Sequence, residues 1–272
     1  MKEVLIIENI RKSFAINYTG RKSAFGSDYK DVIKGLSMRL NQGEVISLVG
    51  GNGAGKTSLF NLVSGLLRPD SGKIIFNGSR AAIDCTEASS WKIARAGIGR
   101  GFQGARTFGG LSVLDHLILQ ALPPGYDDPV NSLFRGARTR RQLNDLEDRI
   151  HEELSPIPEF REMLNYLRKP ASSLSYARQR LLSMAGLLLG NYDLLLLDEP
   201  TSGLSPDSIK AVQDMIERVR QQGKTVFLIE HNMEFVRSLS DICHFMSAGE
   251  IEFTGTPEEV LNNQNVKLSY LL

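Results

Sequence analysis

Apolar residues fall along this chain in two rhythms. The first third is cut into short β-branched runs. Val4 to Ile10 is one such run and predicts a strand. Val32, Leu36, Met38 and Leu40 are set against Lys34, Ser37 and Arg39, which predicts a half-exposed strand from Val32 to Leu40. Residues 15–31 between them are polar and dotted with glycine, and read as a long hairpin loop. Asn41-Gln42-Gly43 turns into Val45 to Val49, an apolar run that predicts a buried strand. Pro69-Asp70-Ser71-Gly72 is a second turn, with a strand from Lys73 to Phe76. Ile98 to Phe102 reads as a strand end. So many hairpins imply a small antiparallel sheet.

Residues 112–190 change rhythm. Leu114, Leu117, Ile118 and Ala121 recur at helical spacing after Ser112. Pro123, Pro124 and Pro129 around Tyr126-Asp127-Asp128 mark a loop. Arg138 to Leu154 predicts a charged helix with Leu143, Leu146 and Ile150 on its apolar stripe, and Leu174 to Leu189 predicts another. The four leucines before Asp198 are apolar on both faces, as in a central parallel strand. Ser205-Pro206-Asp207 starts a helix over Ile209, Val212, Ile216 and Val219, which Gly223 ends. Thr225 to Ile229 is a further buried strand, and Asp241 to Met246 with Glu250 to Thr254 reads as an edge hairpin before a last helix from Pro257. Strand and helix alternate, so the fold class is α/β, with a parallel sheet carrying helices on both faces.

Composition narrows the setting. The chain has 272 residues, enough for one large domain, and a net charge of +1 gives no general bias toward nucleic acid or anionic lipid. Its two cysteines, Cys85 and Cys243, stand far apart without metal spacing and fit a reducing compartment. The greasiest stretch, Leu181 to Leu197, is interrupted by Ser183, Gly186, Gly190, Asn191 and Asp193. A membrane span needs roughly 20 apolar residues, so membrane contact is expected only through a partner.

The chemistry centres on residues 50–57, which fit G-x-x-x-x-G-K-[ST] between a predicted strand and a helical pattern from Ser58 to Ser64. Gly50, Gly51, Asn52, Gly53, Ala54 and Gly55 form a loop whose backbone N–H groups can turn inward on an anion. The helix behind it, entered at Ser58, points its positive end at the same place. Lys56 adds a mobile charge for terminal phosphates, and the Thr57 hydroxyl is a Mg²⁺ ligand. Asp198 and Glu199 end a buried strand, where an unpaired carboxylate is costly and a cation or water is expected. Asp198 would hold the Mg²⁺ shell and Glu199 would polarise an attacking water. His231 follows the strand Thr225 to Ile229 directly and lies at the phosphate end of the sheet. His116, His151 and His244 read as ordinary surface or core histidines. Gln103 sits where its amide would touch Mg²⁺ or the water. Ser175 reads as the N-cap of a second anion-binding helix end, which suggests nucleotide shared between two chains. Arg135, Arg138, Arg140 and Arg141 form a basic cluster without interleaved aromatics, so it reads as a solvated face or subunit contact rather than a nucleic-acid patch.

Taken in order, these residues resemble the nucleotide-binding subunit of ABC transporters over nearly the whole chain. The correspondence runs through a Walker A loop (Gly50 to Thr57), a Q-loop (Gln103), a signature helix (Leu174 to Gln179), a Walker B strand (Leu194 to Glu199), a D-loop (Ser202 to Ser205) and a switch histidine (His231). Leu174-Ser175-Tyr176, Glu199 to Pro206, Leu228 to Met233 and Gly255 to Glu258 are similar to the ATPases of branched-chain and hydrophobic amino-acid importers. Related ATPases serve urea uptake and lipid or lipopolysaccharide export. The resemblance implies one P-loop NTPase domain over residues 1–272, with a mainly parallel core, an N-terminal antiparallel β subdomain and a helical subdomain at about 104–190. It implies ATP and Mg²⁺, with Glu199 as general base, His231 as γ-phosphate sensor, and Gln103 as the link to the membrane subunit. It implies permease partners, a second ATPase subunit that offers Ser175 to ATP, no nucleic acid, and a cytoplasmic place on the inner face of the membrane. Phe14 matches the position that stacks on adenine, with Tyr18, Phe25 and Tyr29 as rivals. A soluble ABC-type ATPase, a nucleotide-gated regulator and a P-loop kinase are the competing readings.

Four positions depart from the family pattern. Gly51 stands where proline is usual, Ala177 replaces the second signature glycine, Ser205 replaces an acid or amide of the D-loop, and the loop at 15–31 is long. Ala177 and Ser205 fall where dimer and nucleotide would meet, which suggests an asymmetric pair of ATP sites.

Overall fold

Ten strands among the described residues form two sheets. The computed structural model describes residues 2–16, 28–101, 104, 107–122 and 136–269. The strands are β1 (Glu3–Ile16), β2 (Asp28–Asn41), β3 (Val45–Val49), β4 (Ser71–Asn77), β5 (Ala82–Asp84), β6 (Ile98–Gly101), β7 (Leu194–Asp198), β8 (Thr225–Ile229), β9 (Ile242–Ser247) and β10 (Glu250–Gly255). The first sheet is antiparallel, in the order β2-β1-β4-β5; the second runs β10-β9-β3-β8-β7-β6 and is parallel except for β10.

The helices are α1 (Lys56–Val63), α2 (Ser90–Ala96), α3 (Val113–Ala121), α4 (Gly136–Leu154), α5 (Pro158–Leu164), α6 (Tyr176–Leu189), α7 (Pro206–Gln221), α8 (Met233–Leu239), α9 (Pro257–Asn262) and α10 (Gln264–Ser269). Strands β3, β7 and β8 are buried at every position, as expected of strands covered on both faces. Successive residues feed two cores. Leu195, Leu197, Val226 and Leu228 pack with α3 to α7. Leu194, Leu196, Phe227 and Ile229 pack with α1, α2 and the antiparallel sheet. Each buried leucine contributes about 2 kcal/mol of transfer free energy, so a polar substitution on either face of β7 opens one core. Parallel pairing of β3, β7 and β8 brings their C-terminal ends to one edge, where ligands of open α/β sheets bind.

The structure differs from the sequence expectation in three places. Residues 15–16 and 28–31, expected in a loop, belong to β1 and β2. The β1–β2 register shifts between Ile7 and Ile10, where Asn9 takes φ 49°. Burial therefore passes from Leu5 and Ile7 to Ile10, out of step with strict alternation, so period two fades before the strand ends. Second, the expected hairpin of β9 and β10 does lie at the edge of the sheet, but its inner strand β9 also runs parallel to β3, a pairing the hairpin pattern does not show, with Cys243 and Phe245 in a small core with Val49, Val236 and Val260. Third, β5, α2, α5, α8 and α10 have no counterpart in the sequence expectation, because segments of three to seven residues are too short for a period to show. No helix among the described residues is long and apolar enough to cross a membrane.

His244 on β9 gives the fold an acid sensitivity. It is buried, its Nδ1 lies 2.8 Å from Thr254 Oγ1, and burial pushes its pKa down to about 4. Burial also lowers that of His116 on α3. Below its ordinary pKa of 6.5 the unfolded imidazole binds a proton that the folded one refuses until about pH 4. Stability is therefore full above pH 6.5 and falls between 6.5 and 4, with a His244 share of about 3 kcal/mol. Urea midpoints measured across this window will show the slope, and His244→Leu will flatten part of it.

Candidate functional site

The loop from Gly50 to Gly55 leaves the end of β3 and returns as α1. Two of its glycines are dictated by geometry. Gly50 has φ 151°, and a Cβ there would lie 2.1 Å from the Met246 carbonyl oxygen on β9. Gly55 has φ 108°, with Val32 O at 2.8 Å from such a Cβ. Gly55 is also the N-cap of α1 and caps it with no side chain. The first N–H groups of the helix therefore face the cleft uncapped, the usual anion seat. Gly249 N–H donates to Ala54 O at 3.0 Å and ties the loop to the β9–β10 turn.

Lys56 is 7% exposed, and its Nζ donates to Gly50 O at 2.7 Å and Gly51 O at 2.9 Å. Burial lowers its pKa, while Glu199 and Asp198 act in the opposite direction. Those carboxylates stand at the end of β7. Asp198 is buried, with Arg100 of β6 at 3.8 Å; burial raises its pKa and the Arg100 charge lowers it. Glu199 has φ 48°, uncommon for a residue with a side chain, and its carboxylate is 3.3 Å from His231 Nε2. Asn52 to Ser58, Glu199 and His231 line one cleft of about 540 Å³ with Lys30, Asp31, Val32 and Lys34 of β2. The parallel sheet thus brings together a phosphate loop, an ammonium, a carboxylate and an imidazole from three strand ends.

Three further residues hold this arrangement and escaped the sequence reading. Arg180 of α6 is buried and donates to Glu199 O at 2.9 Å and to Ser202 O. Arg100 donates to Ser64 Oγ at 2.6 Å while facing Asp198. Glu230, just before His231, is 2% exposed and accepts from Thr201 and from the backbone beyond it. The legible signal was charge amid apolar residues: a buried charged group needs partners.

A model of the ABC transporter family matches residues 33–202. The chain belongs to the ABC transporter family. It is similar to the high-affinity branched-chain amino acid transport ATP-binding protein LivG of Salmonella typhimurium, 32% identical over 243 residues, covering 88% of this chain and 91% of that one. It is also 32% identical over 271 residues to the lipopolysaccharide export system ATP-binding protein LptB of Haemophilus influenzae, covering 98% and 97%. Among solved structures, the ADP conformation of the ABC transporter cassette MJ1267 superposes with a TM-score of 0.74 at 26% identity, over 100% of this chain and 99% of that one. The chain is thus an ATP-hydrolysing subunit of an ABC transporter.

Gln103 lies outside the described residues, as do Tyr18, Phe25 and Arg135. Arg138, Arg140 and Arg141 sit on α4. Phe14 pairs with Lys30 across β1 and β2, is 38% exposed under the Lys12 ammonium, and is not among the described residues lining the cleft. Ser175 caps α6 by accepting from Arg178 N–H at 3.4 Å. Ala177 is helical and absent from the positive-φ residues, so its methyl meets no backbone penalty. Ser205 is the N-cap of α7 and accepts from Ser208 N–H, which accounts for a hydroxyl there.

Gly50→Ala puts a methyl into the Met246 carbonyl and will cost about 3 kcal/mol or more together with nucleotide binding. Gly223→Ala, at φ 73° with no neighbour within 4 Å, will cost about 1 kcal/mol and leave binding intact. Melting curves and titration with a fluorescent nucleotide analogue check both.

Proposed function

We propose that this chain binds ATP with Mg²⁺ in the cleft between the Gly50–Gly55 loop and Glu199, and that hydrolysis there energises uptake of branched-chain or other hydrophobic amino acids. The observation that carries the chemistry is the buried Lys56 beside Asp198 and Glu199 at one edge of the sheet. An ammonium held by two carbonyls of its own loop is poised to exchange them for phosphate oxygens.

The residues present fit a magnesium ion. Among the described residues no cluster of three acids, histidines or cysteines could build a full metal cage. Mg²⁺ in phosphate-transfer sites takes only one or two protein ligands beside phosphates and water. Thr57, exposed at the first turn of α1, and Asp198 supply that number, with Gln103 as a further contact. Bound there, the ion would offset charge on the phosphate oxygens. Glu199 orients and deprotonates the attacking water. His231, within 3.3 Å of it, holds that carboxylate and meets the terminal phosphate. Phe14 is the first candidate to stack on the base, with Tyr18, Phe25 and Tyr29 as its rivals.

The assembly follows the family. The chain works with transmembrane permease subunits and a second ATPase subunit, and touches the membrane through the permease on its inner face. Residues about 104–190, which carry α3 to α6 between β6 and β7, form a helical subdomain within one domain of residues 1–272. The Ser175 end of α6 meets the ATP of the partner subunit. Amino-acid uptake is supported by likeness to LivG and to BraF of Pseudomonas aeruginosa, 29% identical over 240 residues. The likeness to LptB over nearly the full chain favours lipopolysaccharide export as the second reading.

Two experiments test this. Glu199→Gln will lower the hydrolysis rate at least about 100-fold while ATP affinity stays within a few-fold; an unchanged rate removes Glu199 as the base. Affinity purification from solubilised host membranes will bring down a polytopic permease, and the complex in proteoliposomes will take up leucine when given ATP. A complex that extracts lipopolysaccharide and ignores leucine transfers the assignment to export.

A further inference from the structure

Glu230 lies behind the cleft rather than in it. It follows β8 directly, immediately before His231, and is 2% exposed. One carboxylate oxygen, Oε1, accepts the Thr201 backbone N–H at 2.8 Å and the Thr201 hydroxyl at 2.6 Å. The other, Oε2, accepts the backbone N–H groups of His231 at 2.8 Å and Asn232 at 3.0 Å. Thr201 stands two residues beyond Glu199, so a single carboxylate spans the loop that carries Glu199 and the loop that carries His231. Glu199 needs that support. Its φ of 48° persists only where the surroundings over-determine it. Its backbone N–H is fixed to Ile229 O at 2.9 Å, and Thr201 is fixed to Glu230.

We propose that Glu230 is a positioning residue for ATP hydrolysis, which sets the distance between Glu199 and His231 by clamping their loops together from the buried side. This rests on the reading of Glu199 as the base. An amide cannot replace the carboxylate. In Glu230→Gln the NH₂ would face the Thr201 backbone N–H in one orientation and the His231 and Asn232 N–H groups in the other, so one of the two loops would lose its acceptor. A carboxylate that merely satisfied buried donors would matter to stability alone. A clamp matters to the rate of the bound complex, because small misplacements of reacting groups cost rate before they cost binding.

The test compares Glu230→Gln, Thr201→Val and Glu199→Gln in the transporter complex purified from host membranes, by kcat, KM for ATP and melting temperature. Thr201→Val keeps shape and removes one donor to Oε1, so it carries the test if Glu230→Gln does not fold. The expected result is a fall in kcat of about 10- to 100-fold for Glu230→Gln and about threefold for Thr201→Val, with KM within twofold in both. Thr201→Val will also have little further effect on kcat in the Glu230→Gln background, since both act through Oε1. A folded Glu230→Gln or Thr201→Val variant with the parent kcat overturns the proposal, and so does a loss of kcat matched by a loss of ATP binding. If Glu199→Gln hydrolyses at the parent rate, the reading of the base has failed, and the proposal with it. If only Glu199→Gln is slow, the base stands and the clamp falls alone.

Discussion

A buried ammonium is the constraint on which this structure depends. Lys56 enters α1 at 7% exposure, and taking its charge out of water costs several kcal/mol unless partners replace the water. Two carbonyls of its own loop supply part of that, at 2.7 and 2.9 Å. The chain at Gly50 passes against Met246 with no room for a side chain. The remaining compensation is electrostatic and comes from Asp198 and Glu199. The sheet order follows. β3 must lie next to β8, and β8 next to β7, for the phosphate loop, His231 and the two carboxylates to share an edge.

The carboxylates carry costs of their own. Asp198 is held above its ordinary range by burial and is relieved chiefly by Arg100, so its charge, too, is stabilised by a neighbouring strand. Glu199 occupies a left-handed backbone position and is braced from two sides. Its N–H is bound by β8, and its carbonyl is bound by Arg180 of α6. α6 is also the helix that Ser175 caps. Arg180 thus ties the helical segment to the Glu199 loop by hydrogen bonds to Glu199 O and Ser202 O. Thr107, which donates to Gln179 Oε1 at 3.2 Å, adds a second tie to the same helix from the segment before α3.

The legible part of this molecule was the part written in period and motif. The runs Val45 to Val49 and Leu194 to Leu197 announced buried strands because both their faces are covered, and each fed a chemical group at its end. Ser112, Ser175 and Ser205 announced helix starts, since each cap is a local bond to the backbone three residues on. What stayed hidden depended on contacts far apart in sequence. β9 joins β3 in parallel across nearly 200 residues, which no local pattern encodes. β1 and β2 outrun their alternation at a bulge. Arg180 and Glu230 looked like ordinary polar residues until folding buried them against loops that carry Glu199 and His231.

The central claim is that the Lys56 pocket is a phosphate seat completed by nucleotide. Thermal melting of the purified chain, titrated with Mg·ATP, tests it most directly. A ligand that binds the native state alone, at 100 times its Kd, stabilises by about 2.7 kcal/mol. That predicts a rise in melting temperature of a few degrees, saturating with ATP and absent in Lys56→Ala. A melting temperature that stays flat through millimolar Mg·ATP, or rises equally in Lys56→Ala, would contradict the account.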